Sequence, residues 1–432
     1  MLTQLLLATL LAGTTLGATA QEWPVAEVSS TLQTPVLTEE DNDADADDPA
    51  IFVHPTDPAK SLVVTAVKNG GIRVFDLEGA LVQTVLPAED GRINNVDIVY
   101  GFTLDDGSMA DLIIGSDRGL DIIRAWRIDG DGAEPLSEIT DPQATRAFPN
   151  RYLEEGEGTE NNPVDDQNTV YGLATWKDGE TVWVAGTQRH QPVVGLFKLV
   201  ATEGGHVRAE LDHDFRVPAE QSGQPLFAEN DDDPLLDFSP QFEGMVIDRT
   251  TGTLYAGQED VGIWTVPVSG GEPVLAYTTR GSTASSFNNP DSVIARDVEG
   301  LTIYYGADNT RYLLASSQGG AHGEDGVPDA PYDDSFALFD LAADMTLLGS
   351  FRVAATGDID AVQESDGADV ISMSLPGFPN GLFITQDGYA GDLNGLDGEV
   401  AVTNFKFVDW KAIADSFDPP LAVSPASFDP RD

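Results

Sequence analysis

The sequence predicts an all-β fold, a six-bladed β-propeller, on three observations. Short β-branched and aromatic runs separated by Gly, Asp and Asn turns fill the chain, with hardly a helical period before Trp410–Phe417. One phrase recurs about six times: an acidic residue, often followed by Gly or Pro, opens an apolar strand; a second strand ends in small or polar residues; a third runs into a Gly-rich turn. Each unit is long enough for four strands, and repetition on that scale is the signature of blades around a channel.

The first unit opens at Asp48-Pro-Ala-Ile-Phe-Val and continues through SLVVTAVKNGGIRVFDLEG; the second opens at Asn95-Val-Asp-Ile-Val and continues through DLIIGSDRGLDIIRAWRIDG. Val170-Tyr-Gly-Leu-Ala leads the third into TVWVAGTQRHQPVVGLFKLV, and Phe242-Glu-Gly-Met-Val leads the fourth into TLYAGQEDVGIWTVPVSGG. The fifth runs from Val298-Glu-Gly-Leu-Thr to YLLASSQGG and SFALFDLA, the sixth from Ser365-Asp-Gly-Ala-Asp to GLFITQDGYAG and VAVTNFKFV. Innermost strands run beside the channel, so equivalent positions converge on one axis. Read in this register those positions are Asp48, Asp97, Tyr171, Glu243, Glu299 and Asp366. Carboxylates brought together in this way repel one another unless a multivalent cation lies between them.

Composition narrows the chemistry. With 73 acidic against 22 basic residues and a net charge of −51, nucleic acid and anionic membranes are excluded as partners, and cations are favoured. The 41% hydrophobic content supplies a core, so the acidity does not signal disorder. There is no cysteine, hence no disulfide, no thiolate nucleophile and no Cys-based zinc site. The five histidines, His54, His190, His206, His213 and His322, have no spacing suited to a transition metal. A hard, oxygen-seeking metal is expected. Residues 1–20 read as a signal peptide, an apolar run interrupted by Gly13 and Gly17 with Ala18 and Ala20 before Gln21, so the protein is expected to be exported to the periplasm or secreted. Residues 21–46 read as an acidic leader and 47–432 as one propeller domain, with no partner needed to cover its edges and a monomer expected.

DDPAIFVHP at Asp47–Pro55, NNVD at Asn94–Asp97, VYG at Val170–Gly172, FEG at Phe242–Gly244 and DVEGLTIYY at Asp297–Tyr305 occur in order and with compatible spacing. Together they resemble the β-propeller phytases, and the likeness runs from about Asp47 to Trp410. The resemblance implies a calcium-dependent 3-phytase-type phosphatase carrying several calcium ions, with phytate or calcium-phytate as substrate. By the same likeness Asp47, Glu243, Glu259, Asp297, Glu299, Asp360 and Asp366 match the acidic site positions, with Glu243, Glu299, Asp360 and Asp366 closest to catalysis. Lys68, Arg118 and Tyr171 match phosphate-binding positions, and Asp48 with the Val96 carbonyl resembles a more structural calcium site. The residue types agree with this: calcium takes six to eight oxygens, and water activated by it attacks phosphorus directly, without a covalent enzyme intermediate.

Lys68 and Arg118 each follow a strand that ends in small residues, in VVTAVK and IIGSDR. A guanidinium fork grips phosphate bidentately and an ammonium binds it as a point charge, although both residues also read as ordinary salt-bridge partners in an acidic protein, and Tyr171 also reads as a core aromatic. At one position the chain departs from the family. Where a second lysine is expected it has Thr187, and Arg189 is the candidate replacement. Ala321–Asp334 reads as an inserted surface loop. Asp41-Asn-Asp-Ala-Asp-Ala-Asp lacks the Gly and terminal Glu of an EF-hand, and Arg189-His190-Gln191-Pro192 lacks the Gly and second Arg of a histidine phosphatase. Two other functions fit a calcium propeller, a lactonase and a non-catalytic binding module. Neither requires the cationic pair Lys68 and Arg118.

Overall fold

Each of the six repeat units forms one antiparallel sheet, and the computed structural model describes residues 23–149, 168–218, 220–225, 241–281, 289–319, 330–390, 402–424 and 428–431. The innermost strands are Pro49–Phe52, Ile93–Thr103, Val170–Asp178, Phe242–Asp248, Leu301–Tyr305 and Ala368–Ile371. Each lies beside the next, and Ala368–Ile371 returns to Pro49–Phe52 to close the ring. Strands in the middle of a blade are buried on both faces, as in Leu62–Ala66, which explains why they read as continuous apolar runs rather than alternating ones. Outer strands such as Leu81–Val85 are largely exposed. The apolar core is divided into six clusters, one at each blade-to-blade interface.

The residues set apart as an acidic leader are part of the propeller. Leu32–Gln33 pairs antiparallel with Asn404–Asp409 as the outer strand of the sixth blade, and Val25–Ser29 pairs parallel with Thr346–Ala354 as a fifth strand on the fifth blade. The first residues of the described chain thus fasten its last blade, a closure that sequence distance conceals. Tyr332 belongs to the expected insertion and is buried, its hydroxyl bonded to the Trp23 backbone at 2.9 and 3.1 Å; residues 320–329, and residues 1–20 that the sequence reads as a signal peptide, lie outside the described residues. The expected helical stretch forms a helix over Trp410–Asp415, capped by Asp409, with Trp410 stacked 4.0 Å from Tyr304.

Within the channel, three aspartates tie neighbouring blades together. Asp48 accepts from the Val96 amide at 3.1 Å, Asp97 from the Thr175 amide at 2.6 Å and hydroxyl at 2.8 Å, and Asp369 from the Ile51 amide at 2.9 Å and the Thr302 hydroxyl at 3.1 Å. Burial raises the carboxyl pKa of each, that of Asp369 to about 6. The end of the channel away from the strand starts is covered by the C-terminal segment, where Phe428 stacks 4.5 Å from Tyr305 and Arg431 sits 4.4 Å over Tyr100 while pairing with Asp111 at 2.8 Å.

Candidate active site

The opposite mouth, where the inner strands begin, is built by a local irregularity repeated around the ring. The pairing of inner and second strands shifts between Ile93 and Val96, between Val170 and Leu173, and between Phe242 and Met245. A β-bulge re-aims a side chain, and these three bulges hold Asn94, Tyr171 and Glu243. In the other blades Asp47, Glu299 and Asp366 occupy the corresponding place just before the strand, as shown by the matching bonds Ala66 N–H to Asp48 O at 2.8 Å, Ser316 N–H to Gly300 O at 2.9 Å and Gln386 N–H to Gly367 O at 2.9 Å.

The glycine that follows the acidic residue has a steric reason. A Cβ on Gly172 would lie 1.9 Å from Glu243 O, one on Gly244 1.5 Å from Glu299 O, and one on Gly367 2.5 Å from the Asp48 Cα. Only glycine lets adjacent inner strands approach this closely, and that approach draws the preceding side chains together. The ring is therefore Asp47, Asn94, Tyr171, Glu243, Glu299, Asp366. This corrects the expected register in two blades: Asp48 is one residue past the ring and Asp97 lies farther down the channel, both serving as the interblade ties described above.

Two buried carboxylate groups result, Asp47 with Glu243 and Asp366, and Glu243 with Glu259 and Glu299, and within each the oxygens lie within 4.8 Å of one another. Glu243 is common to both. Glu299 Oε2 is buried with no hydrogen-bond partner, and Asp47 Oδ2, likewise without a hydrogen bond, has the Lys68 ammonium 3.5 Å away. Burial first and mutual repulsion second push Glu259, Glu299 and Asp366 well above the usual carboxylate range. Asp47 rises to about 7 for the same reasons, against the lowering effect of Lys68, and Asp297 rises to about 7 through burial and Glu243, against Arg296. Lys68 (φ 48°) and Asp297 (φ 56°) are both held in the left-handed region, which non-glycine residues seldom adopt and which recurs at functional sites. An all-oxygen, carboxylate-rich set with orphaned oxygens fits a hard divalent cation such as calcium and suits no softer metal.

Cations flank this cluster on the side of the first three blades. Lys68 Nζ is 2.8 Å from Asp45, 3.5 Å from Asp47 and 4.0 Å from Asp366. Burial alone would lower its pKa, but these three carboxylates hold it above the ordinary lysine value. Arg118 donates to Asn94 Oδ1 at 2.6 Å, and Asn94 Nδ2 donates to Glu243 Oε1 at 2.6 Å, so one amide spans the mouth from the cationic to the acidic half. Arg118 and Arg189 lie 5.3 and 5.6 Å from the Tyr171 ring centroid. Burial, then Glu243, Glu259 and Glu299, raise the Tyr171 pKa, so its hydroxyl stays protonated as a donor.

Of the residues expected from sequence, the mouth brings together Asp47, Glu243, Glu259, Glu299 and Asp366 with Lys68, Arg118, Tyr171 and Arg189; Asp297 joins them through its electrostatic coupling to Glu243. Asp360 is not in either carboxylate group. It pairs at 2.5 Å with buried Lys406, which also lies 2.9 Å from Asp387 in the sixth blade. Thr187 turns inward, its hydroxyl accepting from Gly172 N–H at 2.8 Å as Ser116 accepts from Asn95 N–H at 3.0 Å. Arg189 is the true counterpart of Arg118, because Arg189 N–H to Thr169 O at 2.9 Å repeats Arg118 N–H to Arg92 O at 2.8 Å. Sequence reasoning missed Asn94, Asp45 and Gln241, which donates to Glu259 at 2.7 Å. For Asn94 the signal was available: Asn94-Asn95 occupies the place that acidic-Gly fills in later units.

A family model described as phytase matches residues 2–182 and 235–432. A 3-phytase from Bacillus subtilis (strain 168) is 29% identical over 374 residues, covering 85% of this chain and 80% of that protein. Among solved structures, regucalcin, a calcium-binding protein from Agrobacterium tumefaciens str. C58, is similar with a TM-score of 0.44 at 11% identity, covering 89% of this chain and 96% of that one. The Cps50 (Swd1) β-propeller domain from Myceliophteria thermophila is similar with a TM-score of 0.39 at 8% identity, covering 83% and 82%.

Proposed function

The chain belongs to the phytase family, and from that premise we propose that it is a calcium-dependent phytase of the 3-phytase type, hydrolysing phosphomonoesters of phytate at the propeller mouth. The observation that carries this reading is the pairing of two buried carboxylate groups sharing Glu243 with cations on the facing half of the same ring. Asp47, Glu243, Glu259, Glu299 and Asp366, with Asp297 beside them, would hold several calcium ions. Bound there, calcium neutralises phosphate oxygens and lowers the pKa of water near the phosphorus.

The chain's own groups do the rest. Arg118 presents its fork to a phosphate, kept in place by Asn94. Lys68 bridges the acidic cluster and the same phosphate, so the ammonium that balances Asp47 and Asp366 can be shared with substrate. Tyr171 donates its hydroxyl proton to a phosphate oxygen, and the two arginines near its ring restrict its motion. Such fixed donors stabilise charge that develops in the transition state without reorganising. Export to the periplasm or medium, and a monomeric state, belong to the same proposal.

Phosphate release from phytate, with calcium and with excess chelator, tests the reading. Turnover should need calcium and return when it is added back, and Arg118→Ala should lower kcat/KM roughly ten- to a hundredfold through loss of a bond to a charged group. Full activity in rigorously calcium-free enzyme, or wild-type kinetics for Arg118→Ala, would refute it.

A further inference from the structure

Asp360 matches an acidic site position of the family by sequence, yet it lies outside both carboxylate groups of the mouth. Its Oδ1 accepts from the Lys406 ammonium at 2.5 Å. The same ammonium donates to Gln33 Oε1 at 2.6 Å and lies 2.9 Å from Asp387 Oδ2. Lys406 and Asp387 have no exposed side-chain surface. Three oxygens around one nitrogen satisfy all three donors of the ammonium, and two carboxylates offset the cost of burying its charge. Calcium binds oxygen at about 2.3–2.6 Å, so an ion held by these oxygens would have to lie where the ammonium nitrogen already lies. A divalent cation therefore does not fit between Asp360 and Asp387 while Lys406 is there: the space is taken, and like charges at that range repel.

The ammonium fastens three stretches of chain that are far apart in sequence. Gln33 lies in the outer strand Leu32–Gln33 and pairs in register with Lys406 itself. Asp387 ends the second strand of the sixth blade, and its Oδ1 accepts from Gln363 N–H at 3.0 Å. Gln386, the residue before it, accepts through Oε1 from Asp366 N–H at 2.8 Å. The segment that carries Asp366 to the mouth is thus held at Asp360, at Gln363 and at Asp366, and all three attachments meet around the Lys406 nitrogen or the strand end beside it.

We propose that Lys406 is a built-in cation: its ammonium takes the place of a divalent ion between Asp360 and Asp387, so that the sixth blade, its N-terminal outer strand and the segment leading to Asp366 keep their arrangement without calcium. The proposal rests on the calcium reading of the mouth and limits it, because Asp360 is then no ligand of calcium. Removing calcium disturbs the mouth and leaves this corner in place, whereas removing the ammonium opens a divalent-cation site.

The test compares wild type, Asp360→Asn and Lys406→Ala by calcium content after equilibrium dialysis and by thermal unfolding in chelator and in calcium. Asp360→Asn should bind as many calcium ions as wild type and lose roughly 2–4 °C of Tm in chelator and in calcium alike. Lys406→Ala leaves two carboxylates without their counter-charge, so its Tm should fall further in chelator. The vacated oxygens should then take one calcium ion more than wild type, and calcium should restore part of the deficit. Loss of a calcium ion in Asp360→Asn, or an unchanged Tm of that variant in chelator, would overturn the proposal. So would a Tm deficit of Lys406→Ala that is equal in chelator and in calcium, which would make Lys406 an ordinary ion-pair partner. A Lys406→Ala protein that folds only in calcium is the expected result in its extreme form; if it folds in neither condition, Asp360→Asn decides alone. A wild type that binds no calcium, together with the Tm loss of Asp360→Asn in chelator, would uphold the place of the ammonium and reject the calcium reading of the mouth instead.

Discussion

Removing calcium should make this protein less stable as the pH rises, the reverse of ordinary acid denaturation. Asp47 and Asp297 each have a carboxyl pKa of about 7 in the folded protein, against 3.8 in an unperturbed chain. A folded pKa above the unfolded one means that the native state binds more protons between about pH 4 and 7. Raising the pH through that interval drains stability, and the loss is complete above about pH 7. At about 1.4 kcal/mol per pH unit, each residue accounts for about 4 kcal/mol, and the pair for about 8 kcal/mol as an upper bound. That is comparable with the whole stability of a typical domain. With an unfolding entropy near 2.1 cal/mol/K per residue, a loss of this size lowers Tm by roughly 9 °C.

Calcium should reverse the trend, because a ligand that binds only the folded state adds RT ln(1 + [L]/Kd), about 2.7 kcal/mol per site at a hundredfold excess over Kd. The assay is thermal unfolding by circular dichroism from pH 5 to 9, in chelator and in calcium. In chelator Tm should fall between pH 5 and 8; in calcium it should be higher and nearly level. Asp47→Asn, which removes one of the charges, should raise Tm in chelator at pH 8 and flatten the curve. A chelated protein whose Tm is flat or rises over this interval would refute the electrostatic account of the mouth.

The blade count was legible because the acidic-Gly phrase has a steric cause: the glycine is where one inner strand meets the next blade's backbone, as Gly172 meets Glu243 and Gly244 meets Glu299. That cause also explains where the reading slipped. In the first two blades the glycine is replaced by Asp48 and Asn95, so an alignment guided by aspartates settles on Asp48 and Asp97 rather than on Asp47 and Asn94. The strand Leu32–Gln33 is too short to have a period, and its pairing with Phe407 and Lys406 joins opposite ends of the chain, so no local signal marks it. Asp360 carried a matching position but not its environment, since Lys406, distant in sequence, holds its carboxylate. Arg189 was legible only as a substitute for a lysine at Thr187, whereas the backbone bonds make it the direct repeat of Arg118.

Two further perturbations separate the geometry of the ring from its charge. Gly244→Ala would set a Cβ 1.5 Å from Glu299 O and force the fourth and fifth blades apart, costing about 1–3 kcal/mol or more in urea unfolding and weakening calcium affinity together; retention of both would show that the close approach is dispensable. Arg189→Ala decides whether the third blade supplies a cationic phosphate ligand besides Tyr171. Its guanidinium lies 5.6 Å from the Tyr171 ring centroid, with that of Arg118 at 5.3 Å, so both lie against the ring whose hydroxyl is proposed to donate to phosphate. If Arg189 contacts that phosphate, its loss should lower kcat/KM on phytate roughly ten- to a hundredfold, and Arg189→Lys should recover part of it by restoring charge without the planar fork. If Arg189 only packs on Tyr171, Arg189→Lys and Arg189→Ala should shift Tm and leave kcat/KM at the wild-type value, and the cations of the phosphate clamp would then come from the first two blades alone.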